Sequence, residues 1–345
     1  MKIKLLLTTL FFGAQVTFAQ QMINENFDSY NVGNVGTDLT GNVAGQGGWK
    51  TLTLSGGNLS NFKFDAEAGK GNILTVISAN TATTAQNNNA GYVFKGFPSN
   101  AWTGRTNGNN VLRIEYEFYT GMEGSSLSNH RNIVSSANNV IAGCNYDPKT
   151  RILSGLTRYN NQGQVGLFLV KLGQKGGSPA DLVLPDNTWV KVYYQLDYST
   201  NKVNYQIPSL NIKEEISTVS LATEIPVEIG FMTYCLNGNT AASTVMYDNL
   251  TVAAVGTTQL AIHDVVSERF KLYPNPVSDI VMLTNDENIG MEQVAIIDLG
   301  GRTLRTYELN QQTGIQLNIS DLPAGIYIVN IKTKEGMASK KIIKK

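Results

Sequence analysis

Residues that could do chemistry are few in this chain and thinly spread. Glu115 and Glu117 stand two apart in the stretch Val111–Tyr119, so on an extended strand both carboxylates point to one face. Glycoside hydrolysis needs two carboxyl groups about 5–9 Å apart on opposite sides of the scissile bond. The spacing can meet the distance but not obviously the geometry, and Glu115 reads better as the ion-pair partner of Arg113 or of a neighbouring strand's lysine. Lyase chemistry calls for a Tyr or His base near an Arg or Asn that neutralises a uronate. His130-Arg131, with Tyr119 and Arg113, are the raw material, but nothing in their spacing is diagnostic. His130 lies in a Ser- and Asn-rich stretch, which suits a solvated surface residue. No Ser or Cys nucleophile has a recognisable setting, and no Gly-rich phosphate cradle follows a strand and opens a helix. Two histidines and two cysteines leave little material for a His-rich zinc site or a disulfide framework.

Binding needs less. Sugar rings present apolar faces to aromatic side chains and hydroxyls to amides and charges. Trp102 lies in the stretch 100–110 beside Arg105 and several asparagines. Tyr119 and Tyr193 fall on the faces of their strands opposite the apolar positions. These four are the candidate ligand contacts, whereas Trp49 and Trp189 are expected in the core.

The elements that must position these residues are strands. Period-2 alternation recurs throughout, and no stretch past the N-terminal segment carries a convincing 3.6-residue repeat. Leu112, Ile114, Tyr116 and Phe118 share one face of Val111–Tyr119; Val190, Val192, Tyr194 and Leu196 share one face of 189–198. Ser199-Thr200-Asn201, Asp147-Pro148-Lys149-Thr150 and Asn237-Gly238 are turns between strands. The chain is therefore all-β. The stretch 79–110, with eight asparagines, reads as long loops around a strand at 92–97.

Composition excludes several classes. Charged residues make up 16% of the 345, below the roughly 25% of an average soluble protein. Twenty-seven basic and 27 acidic side chains cancel, which argues against a general nucleic-acid binder. A hydrophobic fraction of 42% argues against disorder. Lys2 and Lys4, the apolar run 5–16 and Thr17-Phe18-Ala19 have the form of a cleavable signal peptide, and no later run reaches the roughly 18 apolar residues of a membrane span. Export implies a compartment that permits disulfides. Cys144 and Cys235 then read either as a bridge or as two small buried hydrophobes.

The C-terminal part resembles a known family. Tyr273-Pro274-Asn275-Pro276, a strand leading into Gly300-Gly301-Arg302, Leu322-Pro323-Ala324-Gly325-Ile326-Tyr327 and the closing Lys340-Lys341-Ile342-Ile343-Lys344-Lys345 follow in order. They are similar to the C-terminal sorting domain of cargo for the type IX (Por) secretion system of Bacteroidetes. The resemblance implies recognition by the outer-membrane translocon and a sortase-like protease, and a secreted or cell-surface location. Tyr273, Pro274, Asn275, Pro276, Gly325, Tyr327 and Lys344 carry the motif. The glycines are expected to allow turns that a Cβ would resist, and the lysines to guard a terminal edge strand. Seven short strands in 270–343 suit a small immunoglobulin-like sandwich.

The N-terminal part is similar to the concanavalin A-like (laminin-G-like) jelly rolls of secreted bacterial proteins. Asn24-Glu25-Asn26-Phe27-Asp28 opens it, Asn187-Thr188-Trp189-Val190 lies in the middle, and Tyr247-Asp248-Asn249-Leu250-Thr251-Val252 closes it. In such folds the first and last strands lie side by side. Glu25, Asp28 and Asp248 are then candidate ligands for a structural calcium ion, or else solvated carboxylates at strand ends. Related glucanases carry a Glu-x-Asp-x-x-Glu strand; here the run Glu115-Tyr116-Glu117-Phe118-Tyr119 lacks the Asp and the last Glu, which counts against hydrolysis. The expected organisation is a signal peptide at 1–19, a sandwich at 20–255, a linker at 256–267 and the sorting domain at 268–345. The expected function is a polysaccharide-binding or adhesive surface module. A polysaccharide-degrading enzyme and a purely structural surface protein are the alternatives.

Overall fold

A computed structural model describes residues 19–54, 57–80, 91–175, 178–210, 212–256, 269–285, 288–298, 303–333 and 336–345. The apolar run 5–16, most of the expected linker and Gly300-Gly301 lie outside these. The chain divides into two compact units, Met1–Thr257 and Thr258–Lys345.

The first unit opens with β1 (Gln20–Glu25), β2 (Gly33–Asn34), β3 (Lys50–Thr53), β4 (Phe62–Glu67), β5 (Gly71–Ile77) and β6 (Gly91–Gly96). It continues with β7 (Val111–Tyr119), β8 (Ser128–Ser135), β9 (Val140–Asp147), β10 (Ile152–Asn161), β11 (Gln164–Lys171), β12 (Gly173–Lys175), β13 (Ser178–Ala180) and β14 (Leu182–Val183). It ends with β15 (Trp189–Asp197), β16 (Lys202–Ile207), β17 (Ile212–Ser217), β18 (Glu228–Cys235) and β19 (Thr244–Val255). These strands form a jelly-roll-like sandwich. One sheet runs β17-β16-β15-β7-β19-β5-β4-β2, with β1 also on β19; the other runs β11-β10-β9-β8-β18-β6-β3, with β14 on β10.

The alternation in the sequence decides which face is buried. Leu112, Ile114, Phe118, Val190, Val192 and Leu196 sit in the core between the sheets. Trp49, just before β3, is fully buried there and lies 6.2 Å from Phe231 on β18 of the same sheet. Trp189 departs from expectation. It is half-buried, on the outward face of β15, with the Lys70 ammonium 4.4 Å from its ring. Val190 takes the core position, so its neighbour must point away.

The last strand is shared. β7 pairs with β19 along its length, while β5 takes Thr244–Tyr247 and β1 takes Leu250–Ala254 on the other side. The changeover is a bulge between Asp248 and Thr251, with Asn249 at φ 51°. Asn tolerates that left-handed conformation better than most residues.

Cys144 on β9 and Cys235 on β18 are free and buried. β8 lies between their strands, and Cys144 sits beside Asn132 whereas Cys235 sits beside Ser128. The bridged reading is therefore set aside. Burial pushes the Cys144 thiol up to about 12, and the Cys235 thiol donates to the Ala79 carbonyl at 3.2 Å.

The second unit contains β20 (Phe270–Tyr273), β21 (Ile280–Asn285), β22 (Met291–Asp298), β23 (Thr303–Gln312), β24 (Gly314–Asn318), β25 (Gly325–Thr333) and β26 (Gly336–Lys344). They form sheets β20-β21-β24 and β23-β22-β25-β26 around Val281, Leu283, Val294, Ile296 and Val329. β26 is not a bare edge over its last residues. The Asn275 side chain donates to the Lys341 carbonyl and accepts from the Ile343 amide, both at 2.8 Å. Val277 donates to the Ile343 carbonyl and accepts from the Lys345 amide, each at 2.9 Å. Pro274 and Pro276 lack backbone donors, so the opening motif holds β26 through the Asn275 side chain and Val277 instead. Gly325 has no positive φ, and a Cβ there would meet nothing closer than 3.9 Å, so its turn role does not follow from the backbone. Tyr327 is buried and donates to the Pro323 carbonyl at 2.8 Å. Tyr273 is half exposed, and the Lys344 ammonium donates to the Lys345 carbonyl at 3.1 Å.

Candidate functional site

The carboxylates of β7 are committed to cations. Glu115 meets Lys191 at 2.8 Å and Arg113 at 3.2 Å. Glu117 accepts from Lys70 and, at 3.1 Å, from Asn249. Burial pushes the Glu117 carboxyl up, but those hydrogen bonds outweigh it and hold the carboxyl below its ordinary value. Asp248 stands opposite Glu117 in the register, but Lys70 meets both carboxylates, so the ladder has the arrangement of a charge-balanced sheet face.

The three expected calcium ligands do not converge. Glu25 accepts from the Lys95 ammonium and, at 2.5 Å, from the Tyr30 hydroxyl. Asp28 accepts from the Asn72 amide at 2.9 Å and the Asn26 side chain at 2.8 Å. Asp248 accepts from the Asn249 amide at 2.8 Å and lies 3.6 Å from Lys70; burial raises its carboxyl. Among the described residues no group of three or more His, Cys, Asp or Glu side chains could hold a metal ion. The donor set does not fit calcium: two of the three carboxylates already face an ammonium, and the third is used by local amides.

The aromatic candidates are also not gathered together. Trp102 is only 4% exposed, its ring covered by the Arg105 guanidinium at 4.0 Å and the Tyr198 ring at 4.4 Å. Arg105 is spent on its own loop, donating to the carbonyls of Trp102 and Asn109 and to the Asn110 side chain. Both line a groove of about 480 Å³ with Thr103, Asn110, Tyr198 and Ile225, but neither offers a free stacking face or a free fork there. Tyr193 points away from the core, yet it is 1% exposed; Arg113 and Lys191 lie 5.2 and 5.0 Å from its ring. Long side chains from flanking positions cover it, which strand alternation cannot reveal. Tyr119 is half-buried, 5.6 Å from Trp189, and donates to Asn187 at 3.3 Å.

His130 is not a surface residue. It is 1% exposed, turned inward from β8, with Nε2 at 2.8 Å from the Ser243 hydroxyl. Burial lowers its pKa to about 3, so the ring stays neutral. A base cut off from solvent on the core side cannot meet a polysaccharide.

Its neighbour Arg131 points the other way, onto the outward face of the second sheet. One register row crosses all seven strands of that sheet: Leu52, Tyr92, Met232, Arg131, Asn145, Ser154 and Lys171. Arg131 donates from Nε to Asn145 at 2.9 Å and from Nη2 to the Tyr234 hydroxyl at 2.7 Å, with its guanidinium 4.2 Å from the Tyr234 ring. Asn145 donates on to Asn129 at 2.9 Å. Beside this network Tyr92 and Phe94 stack at 4.7 Å, and Tyr92 donates to Glu228 at 3.2 Å. Tyr92, Phe94, Met232, Arg131 and Tyr234 are all half-buried, so this face carries partly exposed aromatic, amide and cationic groups side by side. Sequence reasoning missed Tyr234, Asn145 and Asn129. The available signal was the run Ser128–Asn132, which is polar in both registers of a strand that otherwise alternates.

Residues 271–345 match the family model of the secretion system C-terminal sorting domain. The C-terminal segment is a sorting domain of the type IX secretion system. The protein that carries it is exported, to the cell surface or beyond, and the segment engages the type IX secretion machinery. No helix among the described residues is long and apolar enough to cross a membrane. No curated protein matches the sequence. Solved structures that resemble the chain include a sialidase, with 9% identity, TM-score 0.42 and coverage of 69% of this chain and 19% of that one. The chain thus spans about a fifth of the sialidase's length. The CBM2 module of the evolved Dit protein of Lactobacillus casei BL23 phage J-1 shows 11% identity, TM-score 0.42 and coverage of 70% and 98%. Alginate lyase A1-II' shows 10% identity, TM-score 0.38 and coverage of 60% and 94%.

Proposed function

We propose that the N-terminal unit is a glycan-binding module displayed or released by the type IX route. The observation that carries this reading is the cross-sheet row through Arg131. It sets the Tyr92–Phe94 ring pair beside the Arg131–Asn145–Asn129 network on a face that solvent reaches. Apolar rings beside amide and guanidinium donors suit a sugar, which has C–H faces and hydroxyl edges. Adhesion to polysaccharide follows from such a surface. The catalytic candidates Glu115, Glu117 and His130 all lie elsewhere, and Glu228, beside the rings, accepts from the Tyr92 hydroxyl.

Affinity electrophoresis of the purified protein through gels cast with plant, algal and microbial polysaccharides tests the reading. The same mixtures are assayed for new reducing ends and unsaturated uronates. Retardation by a glycan without new ends is the expected result. New ends would establish an enzyme instead, and no retardation by any polymer would leave a structural surface protein.

A further inference from the structure

We infer that Arg131, with Tyr234 and Asn129, forms a receptor for the carboxylate of an acidic sugar. This rests on the glycan-binding reading and names the ligand class for the same face.

Charge comes first. Several half-buried cations of the first unit have ion-pair partners: Arg113 and Lys191 with Glu115, Lys95 with Glu25, Lys70 with Glu117, Arg158 with Glu224. Arg131 has none among the described residues; its partners are the neutral Asn145 and Tyr234. Burial disfavours its charged form, yet a guanidinium keeps its proton in proteins. A partly desolvated charge without a counter-ion gains from a partner of opposite charge. Arg105 also lacks an ion pair, but its donors tie down carbonyls of its own loop. Arg131 ties down no loop.

Donor geometry comes second. Asn145 takes the Nε hydrogen and Tyr234 takes one Nη2 hydrogen. The Nη1 group and the second Nη2 hydrogen are left, which is the end-on fork that binds a carboxylate through two parallel bonds. Arg131 is half-buried, so part of its side chain meets solvent. The Tyr234 hydroxyl accepts from Arg131, so its own hydrogen is free to donate. The Asn129 oxygen accepts from Asn145, which leaves its NH₂ group as a donor, and Tyr234 stands directly opposite Asn129 in the register. Arg131, Tyr234 and Asn129 thus each keep an open donor. A neutral sugar hydroxyl would want a mixture of donors and acceptors; a carboxylate wants only donors.

The carboxylate could belong to a uronate or to a sialate, and the test separates them. The purified full chain is run through gels containing a polyuronate, the same polymer with its carboxyls methyl-esterified, a neutral glucan, or a sialylated glycan. Wild type, Arg131→Gln, Arg131→Lys and the charge control Lys202→Gln, on a strand of the other sheet, are compared. The free acid polymer, polyuronate or sialylated, should retard the wild type, and esterification should weaken binding at least about tenfold. Arg131→Gln should lose a similar factor and Arg131→Lys should not restore it, because an ammonium cannot present the fork. Lys202→Gln should bind as the wild type does. Equal retardation by free and esterified polymer would overturn the carboxylate assignment while leaving glycan binding intact, as would a folded Arg131→Gln that binds like wild type. Failure of every polymer to retard the wild type would overturn both. Should Arg131→Gln not fold, the esterification comparison on the wild type decides.

Discussion

Replacing His130 by Gln should flatten the acid sensitivity of the N-terminal unit. The ring is enclosed, its Nε2 is used by Ser243, and its Nδ1 has no partner. Burial depresses its pKa from 6.5 to about 3. The unfolded chain therefore binds a proton below 6.5 that the folded chain refuses until about 3. Stability from the neutral ring is present in full above the unfolded pKa and drains away as pH falls towards the folded one. Between about pH 7.5 and about pH 5 the linkage amounts to about 2 kcal/mol. Glu228 and Asp248 have raised pKa values, so they work in the opposite direction; they are common to both proteins and cancel in the difference. The second histidine of the sequence, His263, cancels in the same way. All three tryptophans, at 49, 102 and 189, belong to the N-terminal unit, so urea unfolding followed by tryptophan fluorescence reports that unit alone. His130→Gln keeps a group that can meet Ser243 and will cost some stability at both pH values. The prediction concerns the slope: the wild type should lose about 2 kcal/mol more than the variant on acidification. Equal losses would refute the assignment of the buried neutral ring as the source.

Other consequences can be checked directly. Lys95→Met should destabilise the N-terminal unit by about 3 kcal/mol in urea melts, because it leaves the Glu25 carboxylate buried without its cation. Chelator or added calcium should leave the melting temperature unchanged, since Glu25, Asp28 and Asp248 are held by protein partners. Native protein should resist a thiol reagent at Cys144 and Cys235 and show two free thiols by mass once unfolded without reductant. Asn275→Ala should lower the stability of the C-terminal unit by about 1–2 kcal/mol, read by calorimetry, through loss of both bonds to β26.

Much of the fold could be read from alternation because most strands bury one clean apolar face. Val111–Tyr119 is the clearest case, with Leu112, Ile114, Tyr116 and Phe118 inward as the pattern requires. The sorting domain was legible for another reason: its blocks are local, and the opening Asn275 and closing Ile343 that meet in space both lie in recognisable motifs. The site was much less legible. β8 reads Ser128, Asn129, His130, Arg131, Asn132, polar on both faces, so the sequence could not say that His130 turns in and Arg131 turns out. Tyr234 and Asn145 join Arg131 from strands about 100 and 14 residues away, and register at that separation is set by the whole sheet. Trp189 misled for a simpler reason. Aromatic size suggested the core, although its parity with Lys191 and Tyr193 already placed it outside.

The shared strand β19 makes the order of synthesis matter. It is the last strand of its unit to leave the ribosome, yet β1, β5 and β7 all depend on it for pairing. A chain stopped before Thr244 would not be a sandwich trimmed at one edge. It would be a sheet parted down the middle, with three strands exposing unsatisfied backbone. The keystone arrives last, and until it does the first sheet stays open between β7 and β5.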